Sequence, residues 1–331
     1  MKVIYSNCLG SFVIDKKVED SILFKKEDSV SRCLQLEKEE LIEEEQKLAK
    51  KHPDALFLNK KSEKVKQLED LKKIHEVLAN FAKDSPKYFE AELLLAKSKI
   101  KNSVKFDNLV VNAISSIEEI NKTINLFSRR LREWYELYNP EASRKIADNL
   151  KFAQLISEKS REELLKEIKL SKDDSMGADL DDRDVRQVLK LAEQMIKLEE
   201  LRQKDENYIE ELLKENCPNI QKLAGTLLAA KLISLAGSLK HMSELPASTI
   251  QLLGAEKAFF RHIKTGAKTP KHGVILQHQL VQRAENKGKA ARLLADKISM
   301  AAKIDFFKGE FIGDKLLKEV EKKIGGNKND S

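Results

Sequence analysis

The side chains whose types and spacing could do chemistry lie mostly in the last quarter of the sequence, beginning with Gly254, Ala255, Glu256 and Lys257. Lys257 and Arg261 are four residues apart, which places two cations one turn apart on one face of a helix. Such a pair can hold a phosphate group, with the arginine adding two parallel hydrogen bonds. The spacing alone fits a solvated helix face better, so RNA contact and simple exposure are both open at this point.

More cations and two polar side chains follow this pair. Lys264, Lys268 and Lys271 lie in a loop rich in Gly, Thr and Pro, where they suit a phosphate backbone or are simply solvated. Gln277 and His278 end an apolar run, and both side chains can stack on RNA bases or hydrogen-bond to base edges. The alternative for His278 is a helix-capping or partly buried histidine. A third group begins an Ala-rich amphipathic helix, either as an RNA face or as ordinary exposed cations: Lys287, Lys289 and Arg292.

No arrangement typical of an enzyme or a metal site accompanies these cations. The six histidines never occur at the HxH or HxxxH spacing of metal ligands, and Cys8, Cys33 and Cys217 form no CxxC pair. Nucleotide-binding glycine motifs and the GxSxG nucleophile motif are also missing from the sequence. Glu256 has no second carboxylate near it in sequence, which favours a local ion pair over acid catalysis. We therefore expect this chain to have no catalytic residues and to bind neither a metal nor a cofactor.

The charge of the chain is unevenly distributed. The net charge is +7, yet Lys and Arg outnumber Asp and Glu by 8 between Pro246 and Ser331, so the remainder is close to neutral. A basic segment beside a neutral one indicates a polyanionic partner, most often nucleic acid. No apolar run approaches the ~18 residues of a membrane span. The three scattered cysteines suit a reducing compartment, so we expect a soluble, cytoplasmic protein.

Three kinds of pattern predict the elements that position these residues. In residues 1–107, alternating apolar residues on either side of Gly10 predict a β-hairpin, and helical periodicity follows, including a helix at about residues 63–82. We therefore expect a small α/β domain. Residues 108–240 contain two long helices around a polar segment at Gly177, as in an antiparallel coiled-coil hairpin, and then a helix of small residues that we expect to be buried. Residues 241–324 form a basic helical domain, and the tail, residues 325–331, is expected to be disordered. The predicted fold class is mostly α, with a small α/β domain at its start.

An apolar seam with alternating three- and four-residue spacing marks the first long helix. This spacing predicts a stripe that faces a partner helix. A second seam, from Val188 to Leu212, contains two charged positions, Arg202 and Asp205, which could fix its register. Because the first stripe is longer than one antiparallel helix need cover, we expect part of it to pair with a second copy of the chain. The residues assigned to this homodimer seam are Ile117, Ile120, Ile124, Phe127, Leu131 and Trp134.

Several blocks of the sequence resemble the Nop domain, an RNA–protein recognition module. In the C-terminal region these blocks are GAEK (254–257), AFFRHIKT (258–265), TPKHG (269–273) and GKAARLLADKISMAAKID (288–305). Upstream, the similar blocks are LREWYELYNPE (131–141), SMGADL (175–180) and the run from residue 217 to residue 249. They follow the family's order over about residues 117–323. The chain thus resembles the archaeal Nop-family scaffolds of box C/D ribonucleoproteins.

This resemblance implies a non-catalytic scaffold in a particle that guides ribose 2′-O-methylation of RNA. The implied partners are box C/D guide RNA, a small kink-turn-binding protein, fibrillarin, and a second copy of the chain through the coiled coil. S-adenosylmethionine would be bound by fibrillarin, which the first domain would hold. The candidates between Gly254 and Arg292 would contact RNA or the kink-turn protein. The alternatives are a spliceosomal-type relative, an RNA-processing enzyme with a coiled-coil insertion, and a coiled-coil adaptor with a merely solvated basic end.

Overall fold

The structure is a computed structural model of the chain, and it describes residues 2–25, 28–38, 40–58, 79, 81, 85–171 and 174–325. Helices dominate, and a four-stranded sheet lies at the start of the chain, which confirms the predicted fold class. The chain divides into two compact units, Met1–Val104 and Lys105–Ser331. A helix that we predicted at about residues 63–82 lies largely outside the described residues, as does nearly all of the tail.

The first unit is built on a sheet whose order is β3-β2-β1-β4. β1 and β2 are antiparallel, with Val3 opposite Ile14, and this pairing confirms the predicted hairpin. β3 adds antiparallel to β2, whereas β4 adds parallel to β1. Gly10 is needed where β2 begins, because a Cβ there would lie 2.5 Å from the backbone oxygen of Ile22. The four strands are β1 (Val3–Asn7), β2 (Gly10–Ile14), β3 (Val18–Leu23) and β4 (Leu56–Phe57).

Three helices accompany this sheet in the part of the unit that the structure describes. Because side chains alternate across a strand, Ile4 and Val13 face one side of the sheet, where Leu48 covers them. Cys8 and Cys33 form a separate buried cluster with Leu95. The described helices of this unit are α1 (Ser29–Glu37), α2 (Glu43–Lys51) and α3 (Ser85–Ser103).

The second unit begins with the predicted hairpin of two long helices, α4 (Phe106–Tyr135) and α8 (Asp182–Asn216), which pack along each other. The two charged positions of the second seam are both satisfied within the chain. Asp205 accepts a hydrogen bond of 2.8 Å from the hydroxyl of Ser116 on α4. Arg202 forms ion pairs with Glu199 and Glu206, its neighbours one turn away on the same helix.

The apolar seam of α4 is occupied by residues of the same chain. Ile117 packs into the core of the C-terminal helices, whereas Ile120, Ile124 and Leu131 are buried against α8 and the helices of the hairpin tip. Phe127 is partly buried in the same cluster, and Trp134 alone of the six is exposed. The periodicity therefore located a helix contact correctly, but that contact lies within one chain. The homodimer stays a prediction, and it needs a different surface.

Three short helices that we did not predict lie at the tip of the hairpin. The Arg161 side chain is buried there, and it donates hydrogen bonds to the backbone oxygens of Gly177 (2.8 Å) and Ala178 (3.3 Å) and to Ser175 Oγ (3.1 Å). Its guanidinium also lies 4.9 Å from the centre of the Tyr138 ring. One arginine thus fixes the loop that leads into α8. The tip helices are α5 (Pro140–Lys145), α6 (Asn149–Glu158) and α7 (Arg161–Glu167).

The rest of the second unit is a set of helices around one core that also includes the base of the hairpin. As predicted, the small-residue helix α10 is buried, with Ala229 and Ala230 fully covered. A division between hairpin and C-terminal domain at residue 240 stays a prediction, because both sides contribute to this core. Among the described residues, no helix is long and apolar enough to cross a bilayer. The helices are α9 (Pro218–Ala224), α10 (Thr226–Ala236), α11 (Leu239–Glu244), α12 (Ala247–Leu252), α13 (Glu256–Thr265), α14 (Gln279–Arg283), α15 (Lys287–Phe306) and α16 (Gly313–Gly325), with a 3-10 turn at Val274–Gln277.

Candidate nucleic-acid interface

Residues 254–272, which we call the arm, leave the C-terminal core and return to almost the same point. The backbone N–H groups of Gly273 and Val274 donate to the carbonyl oxygens of Gln251 and Leu253, both at 2.8 Å, and so join the two ends of the arm. Gly254 has a φ of +82°, a conformation that favours glycine, and a Cβ there would lie 2.4 Å from Val274 Cγ1. The close crossing of the two ends therefore explains the glycine at position 254.

The arm carries α13 and contains no buried residue, although the residues that flank it are part of the core. Lys257 and Arg261 are exposed on α13, one turn apart as predicted. Beside them Phe260 and Ile263 are 62% and 63% exposed, and Phe259 is also exposed. The exposure of these apolar residues was not predicted, because a Phe-Phe pair in a helix usually belongs to a core. Their position between cations in an amphipathic segment could have indicated that these apolar residues are exposed.

Polar contacts inside the arm fix its shape. Glu256 accepts a hydrogen bond of 2.7 Å from the backbone N–H of Gly254, so it braces the start of α13. The His262 ring contacts the Ala267 carbonyl through Nδ1 and the Thr269 hydroxyl through Nε2, at 3.2 Å for the second contact. These contacts tie the end of α13 to the following loop. Glu256 thus has a local structural partner, which is a backbone N–H group and not the cation of the expected ion pair, while the cations of the arm are exposed.

Candidate cations from two distant parts of the sequence come together in one groove at the end of the arm. The groove has a volume of about 970 Å³, and Lys271, Lys289 and Arg292 line it with Ser248 and Gln251. All three cations are exposed. Lysine and arginine side chains arranged in this way suit the phosphate backbone of a nucleic acid.

The remaining candidate cations lie outside this groove. Lys264 and Lys268 are exposed on the arm, and Lys287 is exposed at the first position of α15. Ala255, which precedes α13, is half-buried. The structure therefore brings part of the predicted set into a groove and distributes the rest along the arm and the start of α15.

Gln277 and His278 differ in what they can offer a ligand. Gln277 is exposed at the end of the 3-10 turn. His278 is half-buried, and its Nδ1 accepts a hydrogen bond of 3.2 Å from the backbone N–H of Leu280 at the start of α14. Its second partner is the backbone of Leu223, and burial lowers the pKa of the imidazole below its ordinary value. The cap formed by Nδ1 and the partial burial of the ring support the helix-capping alternative for His278.

The chemistry available at this surface is recognition through positive charge, hydrogen-bond donors and exposed rings. In the part of the chain that the structure describes, no group of three or more His, Cys, Asp or Glu side chains is arranged to hold a metal ion. The cations, the amide of Gln277 and the rings of the arm can contact phosphates and bases.

Comparison with known proteins adds family evidence to this geometry. Residues 116–325 match the family described as "Nop: snoRNA binding domain, fibrillarin". An uncharacterized NOP5 family protein of Methanocaldococcus jannaschii is 40% identical over 254 residues, which cover 72% of this chain and 61% of that protein. Nucleolar protein 56 of Schizosaccharomyces pombe is 37% identical over 270 residues, covering 72% of this chain and 54% of that protein. The chain thus spans between half and two thirds of the length of these two relatives.

One solved structure is similar over nearly the whole chain. This structure is the crystal structure of a fibrillarin/Nop5p complex, and the similarity covers 98% of this chain and 99% of that chain. The TM-score is 0.43 and the sequence identity is 22%.

Proposed function

Because this chain belongs to the Nop family, we propose that it is a non-catalytic, RNA-binding scaffold of a box C/D guide ribonucleoprotein. The C-terminal part recognises a guide-RNA kink-turn together with the small protein bound to it. The first unit holds fibrillarin, which binds S-adenosylmethionine and transfers the methyl group. The chain itself then needs no cofactor, and its work is to position the two partners in one particle.

The observation that carries the RNA part of this proposal is the groove of Lys271, Lys289 and Arg292 beside an arm without buried side chains. Phosphate contacts position a protein on RNA, whereas stacking and base-edge contacts supply discrimination. The groove offers the first kind of contact. Phe260 on the arm and the Gln277 amide offer the second kind.

A charge of +8 over the last 86 residues is modest for a protein that binds RNA alone. Attraction by such a surface is sensitive to salt and weakly specific. The exposed apolar side chains of the arm also suit a protein surface. We therefore propose that the arm and groove bind free guide RNA weakly, and bind the preformed complex of RNA and kink-turn protein much more tightly.

For self-association we propose the exposed apolar residues of the hairpin, since the predicted seam apart from Trp134 is already covered within the chain. Leu126 and Trp134 are exposed on α4, and Leu201 and Tyr208 are exposed on α8. Replacing Leu126 and Trp134 with Asp should convert a dimer to a monomer in light scattering without unfolding it. A wild-type chain that is monomeric at micromolar concentration would contradict the homodimer.

The RNA proposal is tested by gel-shift titration of the full chain on bare guide RNA and on its complex with the kink-turn protein. Changing Lys257 and Arg261 together to Ala should weaken assembly by roughly 2–4 kcal/mol, because each removes a charge-assisted contact. Gln277→Ala should act locally and leave the salt dependence unchanged, since no cation is lost.

The matched control is Lys315→Ala with Lys318→Ala, which removes two exposed cations from α16 of the same basic region. The control should shift affinity far less than the arm variant at equal net charge. Equal affinity for bare and protein-bound RNA would refute the joint recognition. An equal loss of affinity in both double variants would mean that the arm contributes only general electrostatic attraction.

A further inference from the structure

Strand β3 is the outermost strand on one side of the sheet that the structure describes. It is six residues long, and Val18 and Leu23 on it are 42% and 67% exposed. An exposed apolar edge strand is a template for pairing with another chain, because one row of its backbone groups has no partner strand. Exposed Lys16 and Lys17 precede β3, and its register with β2 shifts next to Val18. These features protect only the beginning of the strand.

The register of the sheet shows which backbone groups of β3 lie at the open edge. The N–H of Phe24 donates to the carbonyl oxygen of Leu9 at 2.9 Å, so Phe24 directs its backbone groups towards β2. In an antiparallel pair, residues that face the partner strand alternate with residues that face away from it. Ile22 therefore also faces β2, whereas Ser21 and Leu23 direct their N–H and carbonyl groups to the open edge.

One of these outward groups is already occupied by a side chain. Asp20 Oδ1 accepts a hydrogen bond of 2.9 Å from the N–H of Ser21. Asp20 Oδ2 lies 3.4 Å from Lys51 Nζ and 3.5 Å from His52 Nε2, at the end of α2. We call Asp20, Lys51 and His52 the edge cap. The contacts at the end of α2 hold the carboxylate on an N–H group that would otherwise be open to a second strand.

We propose that the edge cap prevents β3 from pairing with the β3 strand of a second copy of this chain. Pairing through this edge would use the N–H groups of Ser21 and Leu23 as donors, and the cap occupies the first of them. The inference is independent of the proposed RNA-binding role. It is also independent of self-association through the hairpin, because it concerns a different surface.

A second copy fits this edge in an antiparallel register. A two-fold axis pairs two identical strands so that residues at equal distance from the axis face each other. With Ile22 at the axis, Ile22 meets its own copy, and Ser21 lies opposite Leu23 of the other copy. Outward backbone groups then meet outward backbone groups, as an antiparallel ladder requires. The N–H of Ser21 is needed in both copies, so the edge cap blocks two bonds of this ladder.

The charges along the edge are compatible with this register. It brings Glu19 close to Lys25 of the other copy, and both side chains are exposed and of opposite sign. Lys2 pairs with Glu19 at 2.8 Å within the chain, so Glu19 would lie between two lysines. Asp20 would lie opposite Phe24, and no two like charges are opposed between Glu19 and Lys25. Side-chain charge therefore does not prevent the contact, which leaves the capped N–H as the barrier.

The first test compares the sedimentation of the full chain with variants of the cap. Asp20→Ala removes the acceptor and should form assemblies larger than those of the wild type at high micromolar concentration. Asp20→Asn is the matched control, because it removes the same charge but keeps a side-chain oxygen that can accept from the N–H of Ser21. It should sediment like the wild type. Adding Ser21→Pro to Asp20→Ala removes the N–H itself and should restore the wild-type sedimentation.

The second test follows hydrogen exchange of single amides in dilute protein. In the wild type, the Ser21 amide should exchange more slowly than the Leu23 amide, because the first is capped and the second is open. Asp20→Ala should speed exchange at Ser21 by about 10-fold, the factor expected for one net hydrogen bond. Concentrating this variant should slow exchange at both amides, because the new strand contact protects them.

Three results would overturn the proposal. Equal exchange of the Ser21 and Leu23 amides in the wild type would mean that the cap does not form, and this measurement needs no variant to fold. Asp20→Ala protein that is folded by circular dichroism and sediments like the wild type would mean that the cap does not limit pairing. Larger assemblies of Asp20→Ala that Ser21→Pro does not reverse would assign the association to another surface.

Discussion

Asp305 joins the last long helix to the start of α9, and its removal should be the most damaging single polar substitution in the C-terminal core. The carboxylate is buried at the end of α15. It accepts hydrogen bonds from the backbone N–H of Asn219 (3.2 Å), from Asn219 Nδ2 (2.8 Å) and from the backbone N–H of Ile220 (2.9 Å). Asn219 Oδ1 in turn accepts from the N–H of Ile312 at 2.7 Å. One carboxylate therefore orders three chain segments.

The expected loss of stability follows from the hydrogen-bond donors that Asp305→Ala leaves without an acceptor. Three donors lose their acceptor in a site without ready access to water, at about 1–3 kcal/mol for each unsatisfied group. The relief of a buried charge offsets part of this loss, since burial raises the pKa of Asp305 above its ordinary value. We expect Asp305→Ala to lower the free energy of unfolding by about 3–5 kcal/mol.

The assay is urea unfolding followed by fluorescence of Trp134, the single tryptophan, which reports on the second unit. The control is Asp314→Ala, which removes an exposed ion pair of 3.0 Å with Lys222 of the same helix α9. This control should cost at most about 1 kcal/mol. Similar losses in both variants would refute the reasoning, because buried hydrogen bonding would then not be the source of the effect.

The same carboxylate gives a pH dependence with a definite sign. Since the folded pKa is raised, the stabilisation linked to its titration is fully present below the ordinary value of 3.8 and is lost as the pH rises through the folded value. Asp305→Asn removes this contribution. The difference in stability between wild type and Asp305→Asn should therefore narrow from pH 4 to pH 7, and a widening difference would contradict the raised pKa.

Three further substitutions test other parts of the molecule. Arg161→Met should lower the free energy of unfolding by about 2–4 kcal/mol, because the carbonyl groups of the tip loop lose their buried donor. It should also speed hydrogen exchange in residues 175–180. Gly254→Ala should lower the free energy of unfolding by about 1–3 kcal/mol. Gly266→Ala should lower it by only about 1 kcal/mol, because Gly266 has a φ of +66° but open space around it. Equal melting temperatures of the two variants would refute the idea that the close approach of the two ends of the arm requires a glycine at position 254. His278→Ser keeps a helix cap that cannot titrate. Since the folded pKa of His278 is lowered, its linked stability is present above about pH 6.5 and is lost as the pH falls through the lowered value, so the variant should lose less stability than the wild type from pH 7 to pH 5.

Local periodicity made much of the fold predictable from sequence. The alternation around Val3 and Phe12 indicated a hairpin, and the small residues of α10 indicated a buried helix; both are confirmed. The seam of α4 was also located correctly, because Ile120 and Ile124 are buried as its spacing requires. Periodicity shows that a stripe is covered but does not show by what. That limit explains why part of the seam was assigned to a second copy, although helices of the same chain cover all of it except Trp134.

The features that sequence reasoning missed depend on contacts between distant residues. The tip helices are short, so their apolar periodicity covers too few residues to be recognised. In the sequence Arg161 resembles an exposed arginine, because its burial depends on the tertiary contacts with Gly177 and Ala178. The groove likewise combines Lys271 with Lys289 and Arg292, which lie in separate segments of the sequence. His278 is the converse case, because its place after an apolar run suits a ligand contact and a helix cap equally well.

The arm separates residues that determine its shape from residues that are free to contact a partner. Gly254, Glu256 and His262 make the contacts that fix its course, whereas Lys257 and Phe260 are exposed and make no packing contribution to the core. Substitutions in the first group should therefore change stability and assembly together. Substitutions in the second group should change assembly alone. Because no core residue lies within the arm, a loss of assembly at unchanged melting temperature identifies a contact residue directly, without interference from the fold.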